Sequence, residues 1–378
     1  MLAVYGAGIL QGAAFVLVPS LGKILEGAPY LYAPSAYGIL YFPEILGAVI
    51  GAIAAARLQR AAGGGTVMRA GLIANMVGMA LLTLASLTAG TPAYLAILGE
   101  TLCLGVGFGL TLAALNPYAA QLFTRAPTTA ITVLNALVGA ATALAPLALD
   151  GCRRLGYWGL LPLALLAGFA LLLTIAPRSA NAKGARSAAA SADGGTAFGM
   201  WPFALAVLLY AIAEGSFSSW AQIYVSGIGG AATSTAALAL SAFWAGMTLL
   251  RLVLGLVPER GPARRTLFVI AALGIGASFV LLSYLTSTNA LLAGYALAGA
   301  SCSIYYPYVM AFGLAAWPTR SVAFAGLMVA ALMIGEGIGS LAPGGLHGLV
   351  ALPAIYRAAS LLALPLVYFA WRVPRQTR

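Results

Sequence analysis

Uninterrupted apolar stretches, set apart by glycine, proline or charge, recur from one end of this chain to the other. A bilayer core of about 30 Å is crossed by about 20 apolar residues at 1.5 Å rise, so each stretch predicts a transmembrane helix. Twelve are predicted, over residues 2–22, 36–56, 70–88, 92–118, 128–149, 158–176, 202–225, 234–257, 267–287, 290–314, 321–343 and 350–372. Composition agrees: of 378 residues 62% are hydrophobic and 7% charged, against about 25% charged in soluble domains. The stretches are continuously apolar instead of alternating with period two, which excludes a transmembrane β-barrel. The expected fold class is an all-α membrane protein with twelve transmembrane helices.

The basic residues give the orientation. Arg57, Arg60, Arg69, Arg125, Arg178, Lys183, Arg186, Arg260, Arg264, Arg265, Arg320, Arg372, Arg375 and Arg378 follow even-numbered spans, whereas Lys23, Arg153 and Arg154 follow odd-numbered ones. Lys and Arg concentrate on the cytoplasmic side, so the even loops and both termini are expected in the cytoplasm, with the chain in the inner membrane. This topology accounts for most of the net charge of +11 and leaves no basic soluble module for nucleic acid. The first span lacks a basic leader region and is expected to be retained. Cys103, Cys152 and Cys302 have no metal-ligand spacing and His347 is the single histidine, so no metal site, cofactor or enzyme chemistry is expected. The expected surroundings are a lipid bilayer, a small-molecule substrate and protons, with the chain acting as a monomer.

The polar, Ala/Ser/Gly-rich segment Pro177 to Gly199 reads as a cytoplasmic linker. It divides the chain into an N-terminal six-helix bundle, 1–176, and a C-terminal one, 200–378, and the two echo each other. LAVYGAGILQG from Leu2 aligns without gaps on LAVLLYAIAEG from Leu205, which pairs Gln11 with Glu214. LNPY ending at Tyr118 matches YYPY ending at Tyr308, and LAP recurs at Leu144 and Leu341. Two six-helix repeats of like orientation predict a pseudo-twofold axis along the membrane normal and alternating access.

With these motifs the chain resembles the major facilitator superfamily over essentially its whole length. More narrowly, GFGLTLAALNPY (Gly107 to Tyr118), SIYYPYVMAFGL (Ser303 to Leu314), GEGIGSLAP (Gly335 to Pro343) and the arginine of FWAGMTLLRLVLG, Arg251, are similar to the fucose permease branch of sugar and proton symporters. The resemblance implies two pseudo-symmetric six-helix bundles, with spans 1, 4, 7 and 10 lining a central cavity, and secondary active transport. The chain departs from that branch where an acidic residue is common: Leu112 stands four before the Asn-Pro of span 4, and Phe15 four before the proline of span 1. In ARLQRAAGGGTVMR, Arg60 replaces the usual aspartate of the gating loop.

Six ionisable residues fall inside the spans: Glu44, Glu100, Glu214, Arg251, Glu336 and Arg357. An ionised group at bilayer depth costs from about 2.5 kcal/mol upward, so each needs a partner or a polar cavity. At 1.5 Å per residue, Glu44, Glu100 and Glu214 lie roughly 18 Å from the cytoplasmic edge and Glu336 roughly 22 Å. Glu336 matches Arg357 in depth on the adjacent span, so the two can neutralise each other or serve transport. Arg251 can contact a polyhydroxyl or anionic substrate, or cap main-chain carbonyls. Glu214 can carry a proton, ligate a cation, bind a substrate hydroxyl or bond structurally to Ser or Tyr neighbours. Glu100, one helical turn before Cys103, is a second proton candidate or serves a structural role. Glu44 can satisfy groups freed by Pro43 or face the outer cavity.

Gln11, Asn116, Asn135, Trp220, Trp244, Arg251, Tyr305 and Tyr306 complete the expected substrate site. Asn116–Pro117 and Tyr306–Pro307 can instead mark broken helices, while Trp158, Trp201 and Trp371 read as interfacial anchors. The expected activity is proton-coupled transport of a small polar solute such as a sugar. The alternatives are proton-coupled efflux of amphipathic or cationic compounds, and a transport-inactive scaffold or sensor.

Overall fold

The computed structural model describes all residues except 22–23, 26, 33–35, 37–38, 177–196, 232, 255–261, 348 and 377–378. Most of the expected linker, together with Lys23, Arg178, Lys183, Arg186, Arg260 and Arg378, therefore lies outside the described residues. The described elements are helical. They run as α1 Leu2–Phe15, α2 Leu17–Ser20, α3 Phe42–Ala62, α4 Gly64–Ser86, α5 Gly90–Leu122, α6 Pro127–Arg154 and α7 Leu160–Ile175. They continue as α8 Trp201–Gly229, α9 Thr233–Leu254, α10 Pro262–Tyr284, α11 Thr288–Cys302, α12 Tyr305–Ala316, α13 Ser321–His347, α14 Leu352–Ala359 and α15 Ala363–Gln376. Every predicted span has a helical counterpart, and eight of the described helical stretches are long and apolar enough to cross a membrane. The chain is a multi-pass membrane protein.

Proline placement explains where spans shift or break. Within span 2, α3 begins at Phe42 with Pro43 in its first turn, where the missing N–H has no partner within α3 to lose. Pro43 thus opens α3 and frees no carbonyl within it, and Glu44 sits in the first turn. Span 1 is interrupted at Val16, one residue beyond the Phe15 carbonyl that Pro19 cannot reach with an N–H. Span 10 is interrupted between Cys302 and Tyr305, four residues before Pro307. The matching break expected at Asn116–Pro117 does not occur: α5 continues through Pro117 to Leu122, and the Asn116 amide bonds the Leu112 carbonyl at 3.2 Å. Only Gly63, at φ 86°, separates α3 from α4, a left-handed turn that glycine adopts without steric cost.

The described residues fall into two compact units. Unit 1 contains Met1–Ala119, Ala140–Ala192 and Thr319–Ala330; unit 2 contains Ala120–Gly139, Asp193–Pro318 and Ala331–Arg378. In unit 1, α3 and α5 approach to backbone contact: a Cβ on Gly51 would meet the Val106 carbonyl, and one on Gly109 the Ala48 carbonyl. In unit 2, α9 and α11 do the same at Gly246 against Ala296 and at Gly299 against Phe243. Apolar side chains gain nothing by leaving lipid for a neighbouring helix, so close packing at small residues holds such helices together.

The repeat extends to polar contacts. The registers that align Gln11 with Glu214 and Asn116 with Tyr306 also align Asn75 with Ser278 and Thr111 with Ser301. Asn75 Nδ2 lies 3.4 Å from Thr111 Oγ1, and Ser278 Oγ lies 3.3 Å from Ser301 Oγ. Unit 2 adds an aromatic core in which Phe217 stacks on Phe279 at 4.0 Å and Tyr224 on Tyr356 at 4.5 Å. In unit 1, Arg69 of α4 caps the end of α7 through the Leu173 carbonyl at 3.0 Å. Trp371 receives the Arg265 guanidinium over its ring at 5.7 Å, a pairing suited to the lipid headgroup level.

Candidate functional site

Unit 2 gathers a buried polar cluster around Arg251, which is 6% exposed on α9. A helical carbonyl normally accepts from the N–H four residues on, and for Ser303 that residue is Pro307, which has none. Arg251 Nε takes that place, donating to the Ser303 carbonyl at 2.6 Å, while Nη1 donates to the Asn135 carbonyl of α6 at 3.2 Å. Of the two readings of Arg251 from sequence, the structure supplies the capping of main-chain carbonyls. The guanidinium brings together α6, α9 and the break between α11 and α12.

Glu214, 5% exposed on α8, has Arg251 and the Tyr210 hydroxyl as its electrostatic neighbours. Tyr210 donates to the Cys302 carbonyl at 3.0 Å, at the other edge of the same helix break. Tyr306, 3% exposed, also feels Glu214 and Arg251, and its hydroxyl has no hydrogen-bond partner. Ser303 Oγ and Thr248 Oγ1, buried beside Arg251, are likewise unpartnered. A buried hydroxyl without a partner carries a desolvation penalty of about 1–3 kcal/mol, which a bound polar ligand relieves.

The remaining expected residues have internal engagements. The Tyr305 hydroxyl donates to the Leu366 carbonyl at 3.1 Å while its ring stacks on Tyr210 at 5.4 Å. Asn135 Nδ2 bonds Ile131 O at 2.8 Å, and Trp220 Nε1 bonds Ser340 O at 2.9 Å. Trp244 is half-buried with its ring edge against Phe243. Glu336 is half-buried, with its backbone pressed on Gly215 of α8. Arg357 is exposed, its guanidinium 5.6 Å over the Tyr284 ring.

Unit 1 contains two further buried polar groups of side chains. Gln11 Oε1 accepts from Asn75 Nδ2 at 2.6 Å, both residues fully buried, and Gln11 Nε2 and Asn75 Oδ1 are unpartnered. Asn75 and Thr111 were not among the sequence-predicted residues; an amide midway along the apolar span 3 was the available signal. Glu44 and Glu100, on α3 and α5, form the second group and interact with each other. At the two positions where the fucose permease branch commonly carries acids, this chain packs apolar side chains: Phe15 stacks on Phe108 at 4.8 Å and Leu112 is buried.

No protein-family model and no curated protein matches the chain. Solved structures do. The E. coli fucose:proton symporter FucP matches at 18% identity and TM-score 0.76, over 100% of this chain and 98% of its own. The proton:xylose symporter XylE, bound to 6-bromo-6-deoxy-D-glucose, matches at 16% identity and TM-score 0.77, over 98% and 94%. The human organic anion transporter MFSD10 (TETRAN) matches at 14% identity and TM-score 0.78, over 97% and 98%. Full-length agreement with all three gives this chain the twelve-helix fold of the major facilitator superfamily.

Proposed function

We propose that this protein is a secondary active transporter that moves a small polar solute by alternating access, coupled to protons. The observation that carries this reading is the buried Glu214, on which Arg251 acts electrostatically, together with the unpartnered buried hydroxyls of Thr248, Ser303 and Tyr306. Protein charges that compensate one another leave a site suited to a neutral solute, and free hydroxyls suit a ligand rich in donors and acceptors. The fold is that of FucP and XylE, a fucose:proton and a proton:xylose symporter, which agrees with a sugar-like solute. In this reading the halves are 1–176 and 200–378, joined by 177–199. The chain works as a monomer in the inner membrane with both termini cytoplasmic, as its basic residues are distributed.

The test is a thermal-unfolding screen of the purified protein against sugars, polyols, organic acids and amphipathic cations, because binding stabilises the native state by mass action. Hits are then followed as uptake into proteoliposomes. Stabilisation by a polyhydroxyl solute, with uptake driven by an inward proton gradient, is the expected result. Uptake indifferent to pH would remove the coupling, and stabilisation confined to amphipathic cations would replace solute symport with efflux.

A further inference from the structure

We propose that Glu44 and Glu100 form a binding site for a monovalent cation, a proton or Na⁺, in unit 1 and separate from the Glu214–Arg251 cluster. As a coupling site it rests on the transporter reading; as a binding site it stands by itself. The helices that carry the two residues meet without intervening side chains: a Cβ on Gly105 of α5 would strike the Glu44 carbonyl, and one on Gly47 of α3 the Leu102 carbonyl. Glu44 and Glu100 are buried where these helices meet, 6% and 0% exposed, and Glu44 acts electrostatically on Glu100. Both oxygens of Glu100 and Oε1 of Glu44 lack a hydrogen-bond partner.

Among the described residues no basic group acts on the pair. Among the described residues, Glu44 is the charged group that acts on Glu100, and the Cys103 thiol is the other titratable neighbour. Arg69, the sole ionisable residue of α4, bonds the carbonyls of Leu173 and Ala176. Glu44 has the positive end of α3 beside it, but Glu100 lies in mid-helix and has no such dipole end. Glu214 differs, since Arg251 stands beside it. Two buried carboxylates without a counter-charge repel one another and each suffers the desolvation cost of an unpaired ion, so a bound cation relieves both. Two carboxylates offer hard oxygen ligands for a proton or Na⁺.

Thermal unfolding of the full-length protein in detergent tests the site without any solute. Na⁺ is titrated against choline at constant ionic strength, and pH is varied in the absence of Na⁺. The wild type is expected to gain about 2–4 °C at saturating cation, in the Na⁺ arm or in the low-pH arm, and Glu44→Gln/Glu100→Gln to lose that gain. A wild type that responds to neither cation, or a double variant that keeps the full response, overturns the proposal. A second measurement needs no variant: a carbodiimide that attacks protonated carboxyls in apolar surroundings should label Glu100 or Glu44, more slowly when Na⁺ is added or pH raised. Labelling of neither residue also counts against the site. Cation binding with no solute uptake would instead sink the transporter reading and leave the site intact.

Discussion

Arg251 Nε donates to the Ser303 carbonyl at 2.6 Å, supplying the hydrogen bond that Pro307 removes from span 10. One side chain thus serves a helix break and acts electrostatically on the buried Glu214. Arg251→Met leaves Glu214 without its counter-charge and should cost about 3–5 kcal/mol of stability. Arg251→Met/Glu214→Gln should recover a large part of that loss, a non-additivity above about 1 kcal/mol that a double-mutant cycle of thermal unfolding measures. Strict additivity would mean that the two charges do not compensate each other.

Tyr306 and Tyr305 are adjacent yet opposite in character. The Tyr306 hydroxyl has no partner inside the protein, so Tyr306→Phe should change stability by less than about 0.5 kcal/mol while weakening solute binding roughly tenfold. Equal solute affinity in the two proteins, measured by ligand-induced thermal shift, would remove Tyr306 from the site.

Tyr305→Phe should do the reverse. It deletes the bond to the Leu366 carbonyl but keeps the stack on Tyr210, so a loss of about 1–2 kcal/mol with near-normal solute affinity is expected. Unfolding and binding assays on the same preparation check both.

The glycines at backbone contacts set the helix spacing. Gly109→Ala and Gly299→Ala each push a methyl into a facing carbonyl, of Ala48 and Phe243, and should each cost about 2 kcal/mol or more. Gly151→Ala, where nothing lies within 4 Å, serves as the control and should shift the melting temperature little or not at all.

Asn75 donates to Gln11 at 2.6 Å between α4 and α1. Asn75→Leu leaves the Gln11 carbonyl oxygen buried without its donor, for a loss of about 1–3 kcal/mol. Asn75→Leu/Gln11→Leu removes both partners and should be less destabilised than the single variant, as unfolding of the two proteins will report.

Much of this was legible before any coordinates. The twelve spans follow from apolar run length, because a helix in lipid must satisfy its own backbone and present about 20 apolar residues to cross. The repeat is legible as the gapless alignment that pairs Gln11 with Glu214, whereas the polar contacts of Asn75 and Ser278 in the same register emerge only from packing. The ionisable residues at depth were visible as exceptions to hydropathy. Proline is less legible, since the same residue type opens α3 at Pro43, is absorbed in α5 at Pro117 and follows a break at Pro307.

By itself the sequence determined that the chain spans a membrane, in twelve helices arranged as a repeat, with a few ionisable groups inside. Those properties depend on residue type and spacing along one chain. The tertiary structure decided that Arg251 serves the Ser303 carbonyl and acts on Glu214, that Tyr305 is engaged and the Tyr306 hydroxyl is not, and that among the described residues no counter-charge acts on the buried Glu44 and Glu100. The energy of a buried charge or hydroxyl depends on groups brought to it by other helices, at distances that only packing sets.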